Sequence, residues 1–412
     1  MSLRTVHVLR KFDRAEWGGT ETAVERLVEG LRENDVEAIF YAPRLADPRP
    51  EESAEIRRFR AFVPVVGLSR QRRRQMVAMG GNLMSFDLGC SLIKERKAAI
   101  IHTHTLGRIG GIARVAAKVR RVPLVVSIHG GALDLPKNVQ RDFKASNRGG
   151  WEWGKAFGWV LGSRLLFRDA DCIIACNDSE AALLRQNFPK KRIFVQPHGV
   201  PAKLYRQDYR DAAREAFPQI IGRDVLLCVG RVDRVKNQAW LLEQLPRILK
   251  KHPKILLVLA GPCTDEPYGK TVDRRIQELG LGEHVFLTGG LPPNDPRLIG
   301  LMQESRTLVL PSLSETFGLV ILEAWAAGAV TISSRTSGPS ALIRHGENGW
   351  IFDLEEPEQF EEGIDRILSD AELVRSMSKL GHAVSHQYSL TTLAGRLKRL
   401  YEELIHEKRC DT

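Results

Sequence analysis

Three stretches hold residue types that could bind anions or hydroxyl groups. Arg231 and Lys236 lie in Gly230-Arg-Val-Asp-Arg-Val-Lys-Asn237, directly after the apolar run DVLLCVG. A guanidinium fork and an ammonium leaving one strand end can together neutralise a diphosphate. A surface turn with incidental charges would read the same from this stretch alone. Glu315 and Glu323 lie in Ser312-Leu-Ser-Glu-Thr-Phe-Gly-Leu-Val-Ile-Leu-Glu323, after the run TLVLP. Glu315 falls in a loop, and Phe317, Gly318 and Leu319 lead into a helix whose first N–H groups are free. Glu323 sits within the apolar helix LVILEAWAA, where a carboxylate needs donors. Sugar or ribose hydroxyls would serve, and so would a structural arginine. Gly18 and Gly19, in Trp17-Gly-Gly-Thr-Glu21, link the run TVHVL to a helix starting near Glu21. Two glycines permit a tight turn, and a helix start suits a phosphate, although many strand-to-helix turns look alike.

These stretches need strand ends to hold them. The runs TVHVL, EAIFYAP, AAIIHTH, PLVVSIH, DCIIACN and IFVQPH occupy the first half of the chain. DVLLCVG, ILLVLAG, HVFLTG, TLVLPS and AVTISS occupy the second. Most are continuous apolar runs, as expected of strands buried on both faces of a parallel sheet. Helical stripes separate them, such as Ala23, Val24, Leu27, Val28 and Leu31, or Trp240, Leu241, Leu245, Ile248 and Leu249. Strand and helix alternating in this way predict doubly wound α/β sheets, with ligands bound beyond the carboxyl ends of the strands. The polar segment 201–224 contains no strand pattern and predicts a domain boundary. Residues from about 370 to 408 read as helices.

The 412 residues suit two domains of about 200 each. The start of the chain lacks signal-peptide character, and no run has the ~18 apolar residues of a membrane span, so a cytoplasmic protein is expected. Cys90, Cys172, Cys176, Cys228, Cys263 and Cys410 are scattered without a second pair to complete a zinc site. They are read as small buried hydrophobes in a reducing compartment. The net charge of +11 is uneven. Residues 1–205 hold 35 Lys and Arg against 21 Asp and Glu, or +14, and the remainder hold 26 against 29, or −3. A basic first half attracts anionic partners, and its densest cluster is Arg70, Arg72, Arg73 and Arg74.

The order of the motifs is more specific than any one of them. A Gly-Gly loop, HTH, SIHGG, QPHGV, GRVDRVKN, LAGP, PSLSETFGLVILE and GENGWIF follow one another over nearly the whole chain. The sequence resembles the retaining glycosyltransferases of family 4, which have the GT-B fold. That resemblance implies two Rossmann-like, doubly wound parallel-sheet domains facing a central cleft. Residues 1–205 would bind the acceptor and 206–387 the nucleotide-sugar donor, with a C-terminal helix of about 388–412 packing back on the first domain.

The resemblance also implies roles. His129, at the end of PLVVSIH, would face the reacting sugar. Glu315 would bind donor-sugar hydroxyls and Glu323 the ribose. Arg231 and Lys236 would hold the diphosphate, helped by the backbone of Gly18 and Gly19 and by amides near Phe317, Gly318 and Leu319. No metal and no cofactor beyond the donor would be needed. The attacking hydroxyl would approach the face that the diphosphate leaves, with a donor phosphate oxygen taking its proton. The donor is expected to be a UDP-sugar in preference to GDP-mannose. An anionic or lipid-linked acceptor at the membrane surface, approached through Arg70, Arg72, Arg73 and Arg74, would suit the basic half. One departure stands out. The family commonly has a Pro-Glu pair after the strand read here as AVTISS, and this chain has Ser337-Gly-Pro-Ser-Ala-Leu342.

Other readings fit less. His102-Thr-His104 is similar to the paired histidines of some metal-dependent hydrolases, but the barrel-like succession of units is missing, and strand-end cleft lining is favoured. Nucleic-acid binding lacks a motif or an aromatic platform. A non-catalytic sugar-nucleotide sensor on the same fold would show binding without turnover. The paired glutamates argue against a sugar-nucleotide epimerase.

Overall fold

The computed structural model describes residues 3–12, 18–44, 56–67, 83–129 and 151–410. Trp17, Arg70, Arg72, Arg73 and Arg74 lie outside them. The chain divides into two compact units, Met1–His198 with Leu390–Thr412, and Gly199–Ser389.

In the first unit the strands are β1 (Leu3–Val8), β2 (Val36–Pro43), β3 (Ile56–Phe59), β4 (Val65–Val66), β5 (Ile100–Thr103), β6 (Leu124–Ser127), β7 (Trp151–Glu152), β8 (Cys172–Ala175) and β9 (Ile193–Val195). Seven form a parallel sheet in the order β3-β2-β1-β5-β6-β8-β9, while β4 and β7 pair as a separate antiparallel ribbon. The strand order reverses direction between β1 and β5, a topological switch point. The helix Gly19–Glu33 covers one face, packing Val24, Val28 and Leu31 against Leu397, Leu400, Tyr401 and Leu404 of the helix Leu390–Cys410. Each large side chain buried there stabilises the unit by about 1.5–3 kcal/mol. Gly30 makes the approach possible, because a Cβ there would collide with the Leu390 carbonyl. The other face takes the helix Gly107–Arg120 through Ile109, Ile112, Ala113 and Ala116.

The second unit contains β10 (Asp224–Val229), β11 (Ile255–Ala260), β12 (Val285–Gly289), β13 (Thr307–Leu310), β14 (Val330–Ser334) and β15 (Trp350–Phe352). All are parallel, in the order β12-β11-β10-β13-β14-β15, so the switch point lies between β10 and β13. The two sheets therefore share the Rossmann order, and each switch point opens at the end of its first strand.

The two compact units divide at His198/Gly199, close to the expected 205/206. Other expectations need correction. Segment 201–224 is a packed part of the second unit: Tyr205 and Ala213 are buried, and Gly300 of the helix Pro296–Glu304 meets the Tyr209 carbonyl so closely that no side chain would fit. Charged residues there cover short helices, Ala202–Tyr205 and Arg210–Ala216, whose few apolar positions are too sparse for a periodic signal. The edge strands β3 and β15 were not read as strands. In β3 only Phe59 is buried, so Ile-Arg-Arg-Phe lacks a continuous apolar run, and β15 is three residues long. Cys172, Cys176 and Cys228 are buried, but Cys90, Cys263 and Cys410 are exposed, which overturns the uniform reading of the cysteines. Among the described residues no helix is long and apolar enough to cross a membrane.

Candidate active site

In the second unit the predicted cations and carboxylates gather around the switch point. The strand β10 is followed by Gly230, whose φ is 153° and whose carbonyl approaches Gly261, just after β11, so closely that no Cβ would fit on Gly261. The chain then turns through Arg231–Asn237. Asp233 organises this turn: its Oδ1 accepts from the backbone N–H of Val235 and of Lys236, each at 3.0 Å. Its Oδ2 lies 3.1 Å from Arg231 Nη2. Lys236 Nζ forms an ion pair with Glu315, which arrives from the loop after β13. Burial works against the Lys236 charge, but the Glu315 carboxylate, aided by Asp233, outweighs it and holds its pKa above the ordinary lysine range. Asn237 Nδ2 donates to the Pro311 carbonyl at 3.2 Å and ties the two loops together.

The Glu315 loop is held from its other side. The Gly338 N–H donates to the Glu315 carbonyl at 2.8 Å, and Ser337 Oγ donates to the same oxygen at 3.3 Å. A Cβ on Gly338 would press on the backbone of Phe317. The segment that departs from the family pattern thus braces the glutamate loop through its backbone. Gly318, with φ of 84°, is the N-cap of the helix Leu319–Ala326, and its carbonyl accepts from the Ile321 N–H at 2.9 Å. The Phe317 ring is buried and meets Tyr388 edge-on at 6.1 Å, so its side chain belongs to the core. Glu323 is 8% exposed, within that helix. A concavity of about 270 Å³ beside β15, lined in part by Arg335, His345 and Trp350, includes none of these residues.

The first unit places different chemistry at its switch point. Gly18 is the N-cap of the helix Gly19–Glu33, its carbonyl accepting from the Thr22 N–H at 3.1 Å, and nothing lies within 4 Å of where a Gly19 Cβ would be. Parallel register sets His7 of β1 beside His102 of β5. His7 Nδ1 lies 3.0 Å from His104 Nε2, and His104 Nδ1 lies 2.9 Å from His129 Nε2. His129 in turn stacks on His198 with ring centroids 5.3 Å apart. His102 bonds Tyr401 OH at 2.6 Å and Ser127 Oγ at 2.7 Å. Burial pushes the pKa of His7 down to about 3 and those of His102, His104 and His129 well below the ordinary value, so all four are neutral at pH 7. Arg10, just after β1, adds repulsion at His129.

This corrects the reading of His102 and His104 as cleft lining, because they are 0% and 6% exposed. Although His7, His102 and His104 converge closely enough to suggest a metal site, their ring nitrogens are occupied in hydrogen bonds between His7 and His104 and to His129, Ser127, Thr5 and Tyr401. The sequence reading missed Asp233, His7 and Arg10. Asp233 could have been found, since it lies within the GRVDRVKN motif; a lone histidine in an apolar strand gives no such signal.

Two parallel-sheet α/β units of Rossmann strand order, the second with Arg231 and Lys236 gathered at its strand ends, define a fold class that the comparisons narrow. The sequence model described as "Glycosyltransferase Family 4" matches residues 17–204, and that described as "Glycosyl transferases group 1" matches 210–383. The chain belongs to this glycosyltransferase family, and its fold is GT-B. The D-inositol 3-phosphate glycosyltransferase of Corynebacterium urealyticum is 27% identical over 247 residues, which are 57% of this chain and 57% of that protein. The chain thus spans less than two thirds of that relative. The protein of the same name from Corynebacterium jeikeium is 24% identical, over 94% of this chain and 92% of its own. The crystal structure of Anabaena Alr3699/HepE in complex with UDP-glucose superimposes with a TM-score of 0.72 at 18% identity, covering 97% of this chain and all of that one.

Proposed function

We propose that this protein is a retaining, metal-independent hexosyltransferase that moves a sugar from a nucleotide-diphosphate sugar, a UDP-sugar in preference to GDP-mannose, to an anionic or lipid-linked acceptor. The observation that carries this reading is the ion pair of Lys236 and Glu315 across the β10–β13 switch point, beside the free start of the helix Leu319–Ala326. Arg231, Lys236 and that helix start supply positive charge for a departing diphosphate. Glu315 takes sugar hydroxyls and Glu323 the ribose. Lys236 is paired with Glu315 in the free protein, so donor phosphates recruit an ammonium already held in place. Phe317 contributes packing rather than contact, and the backbone around Gly318 and Leu319 meets the phosphates.

In the first unit, His129 meets the reacting sugar as a neutral imidazole, and the backbone at Gly18 and Gly19 meets phosphate. The attacking hydroxyl enters on the face the diphosphate leaves, and a phosphate oxygen accepts its proton, so no protein nucleophile is needed. Support for a UDP-sugar comes from the neighbour crystallised with UDP-glucose, and support for an anionic acceptor from relatives named for an inositol phosphate and from the +14 charge of residues 1–205. The basic cluster Arg70, Arg72, Arg73 and Arg74 is assigned to an anionic membrane surface at the inner face of the cytoplasmic membrane; failure to sediment with anionic vesicles at low salt removes that assignment.

The deciding experiment is a thermal-shift and turnover panel of nucleotide sugars with inositol phosphates as acceptors, with and without EDTA. Stabilisation by one donor, with product of retained anomeric configuration and no loss in EDTA, supports the reading. Stabilisation without turnover for any acceptor points to a sugar-nucleotide sensor. Activity abolished by EDTA overturns metal independence.

A further inference from the structure

The ion pair between Arg231 and Asp233 is lopsided. Asp233 is buried, at 8% exposed, while the Arg231 side chain is 48% exposed. The carboxylate is also the pinned partner. Its Oδ1 accepts from the N–H groups of Val235 and Lys236, and the Asp233 carbonyl accepts from the N–H groups of Lys236 and Asn237 at 3.1 and 3.2 Å. A carboxylate is planar, so fixing one oxygen fixes the direction of the other. Oδ2 is thereby aimed at Arg231 Nη2, 3.1 Å away.

Arg231 is fixed at its root and loose beyond it. Its carbonyl accepts from Gln238 Nε2 at 2.8 Å, and the next residue, Val232, donates its N–H to the Pro262 carbonyl at 2.9 Å. Past Cα the side chain has several rotatable bonds and reaches into solvent. Among the described residues Asp233 is its one side-chain partner. An arginine free to rotate gives up that freedom when it grips a phosphate, whereas one already held has given it up beforehand. Charge works the other way. A carboxylate beside the phosphates repels them, so by charge alone the site would bind an anion better without Asp233.

We propose that Asp233 is a positioning residue that fixes the Arg231 guanidinium where a nucleoside diphosphate meets it. This rests on the reading of Arg231 and Lys236 as diphosphate ligands, and it adds the group that makes an exposed arginine ready to bind. The two roles of Asp233 have opposite signs, and the sign depends on whether Arg231 is present. With Arg231 in place, losing the carboxylate should weaken binding, because a loose guanidinium replaces a held one. With Arg231 gone, only the repulsion remains to be lost.

The test is a double-mutant cycle on the full-length chain, with UDP and GDP each titrated by calorimetry. Asp233→Asn keeps an Oδ1 for the two backbone N–H groups but turns an amide NH2 toward the guanidinium, donor against donor. Arg231→Ala should weaken binding about tenfold and Asp233→Asn about threefold. In the Arg231→Ala background, Asp233→Asn should leave affinity unchanged or raise it. A threefold loss in both backgrounds overturns the proposal, because Asp233 would then only shape the turn. A gain in both overturns it as well, because only charge would be acting. Should Asp233→Asn fail to fold, 15N relaxation of the Arg231 Nε–H in the free wild type decides: an order parameter below about 0.6 marks a loose guanidinium and overturns the proposal. Failure of the underlying reading has its own signature: neither nucleotide binds, or Arg231→Ala binds as the wild type does, and the proposal then falls with it.

Discussion

The two units solve the same topological problem with opposite electrostatics. Both are parallel sheets of Rossmann order, and both gather polar side chains where the strand order reverses. At β10 and β13 the gathered groups are charged and partly open to solvent: Arg231 with Asp233, and Lys236 with Glu315. At β1 and β5 they are imidazoles, buried and neutral, satisfied by one another. Fixed charge suits an ionic ligand group such as a diphosphate, because opposite charges tolerate partial hydration. A neutral network suits hydroxyls, because it can be buried without the desolvation cost of an ion. One fold thus gathers two kinds of polar group, chosen by the residues at the strand ends and not by the sheet.

Removing charge from the second unit should have the largest effect. Lys236→Ala should lower kcat for nucleotide-sugar turnover by roughly 10²–10³, the usual cost of one preorganised electrostatic contact. Initial-rate assays would measure it, and a loss below about threefold would break the contrast between the units. Glu323→Ala should weaken donor binding about tenfold to a hundredfold, through loss of a buried acceptor, as read by titration calorimetry. Unaltered binding there would remove Glu323 from the site.

The first unit should respond to pH instead. The folded pKa of His7, about 3, lies below the 6.5 of an ordinary imidazole. Between those values the unfolded chain takes up a proton that the folded chain refuses. Stability therefore falls as pH drops from 6.5 toward 3, by about 1.4 kcal/mol per pH unit for this group at most, and is flat in this respect above 6.5. Urea denaturation at a series of pH values should show a shallower slope in His7→Phe than in wild type, and identical slopes would mean that the ring is not buried neutral. The smallest expected change is Arg231→Lys. Its side chain is half exposed, so the loss of the guanidinium fork should weaken donor binding only about fivefold, and an effect as large as that of Lys236→Ala would show that Arg231 is the principal phosphate ligand.

Much of this was legible in the chain itself. Continuous Val- and Ile-rich runs identify strands buried on both faces, and nearly all of the central strands follow from them. The GRVDRVKN and PSLSETFGLVILE motifs mark the loops that the structure joins at the second switch point. The edge strand β3 escaped because much of its surface needs no apolar side chain, as Arg57 and Arg58 illustrate, and β15 because it is only three residues long. The departure at Ser337-Gly338 could be seen in the sequence but not understood there, since its part is played by a backbone N–H and by the absence of a Cβ.

The sequence by itself determined which segments become strands and helices, because local periodicity and burial on both faces are written residue by residue. It also determined the residue types that each loop can offer. The tertiary structure alone decided which of them meet. Lys236 reaches Glu315 only because β13 inserts beside β10, and His102 meets Tyr401 only because the last helix, beyond the whole second unit, packs on the first. Strand order and helix return are set by the summed packing of distant faces, and no short window of sequence contains that sum.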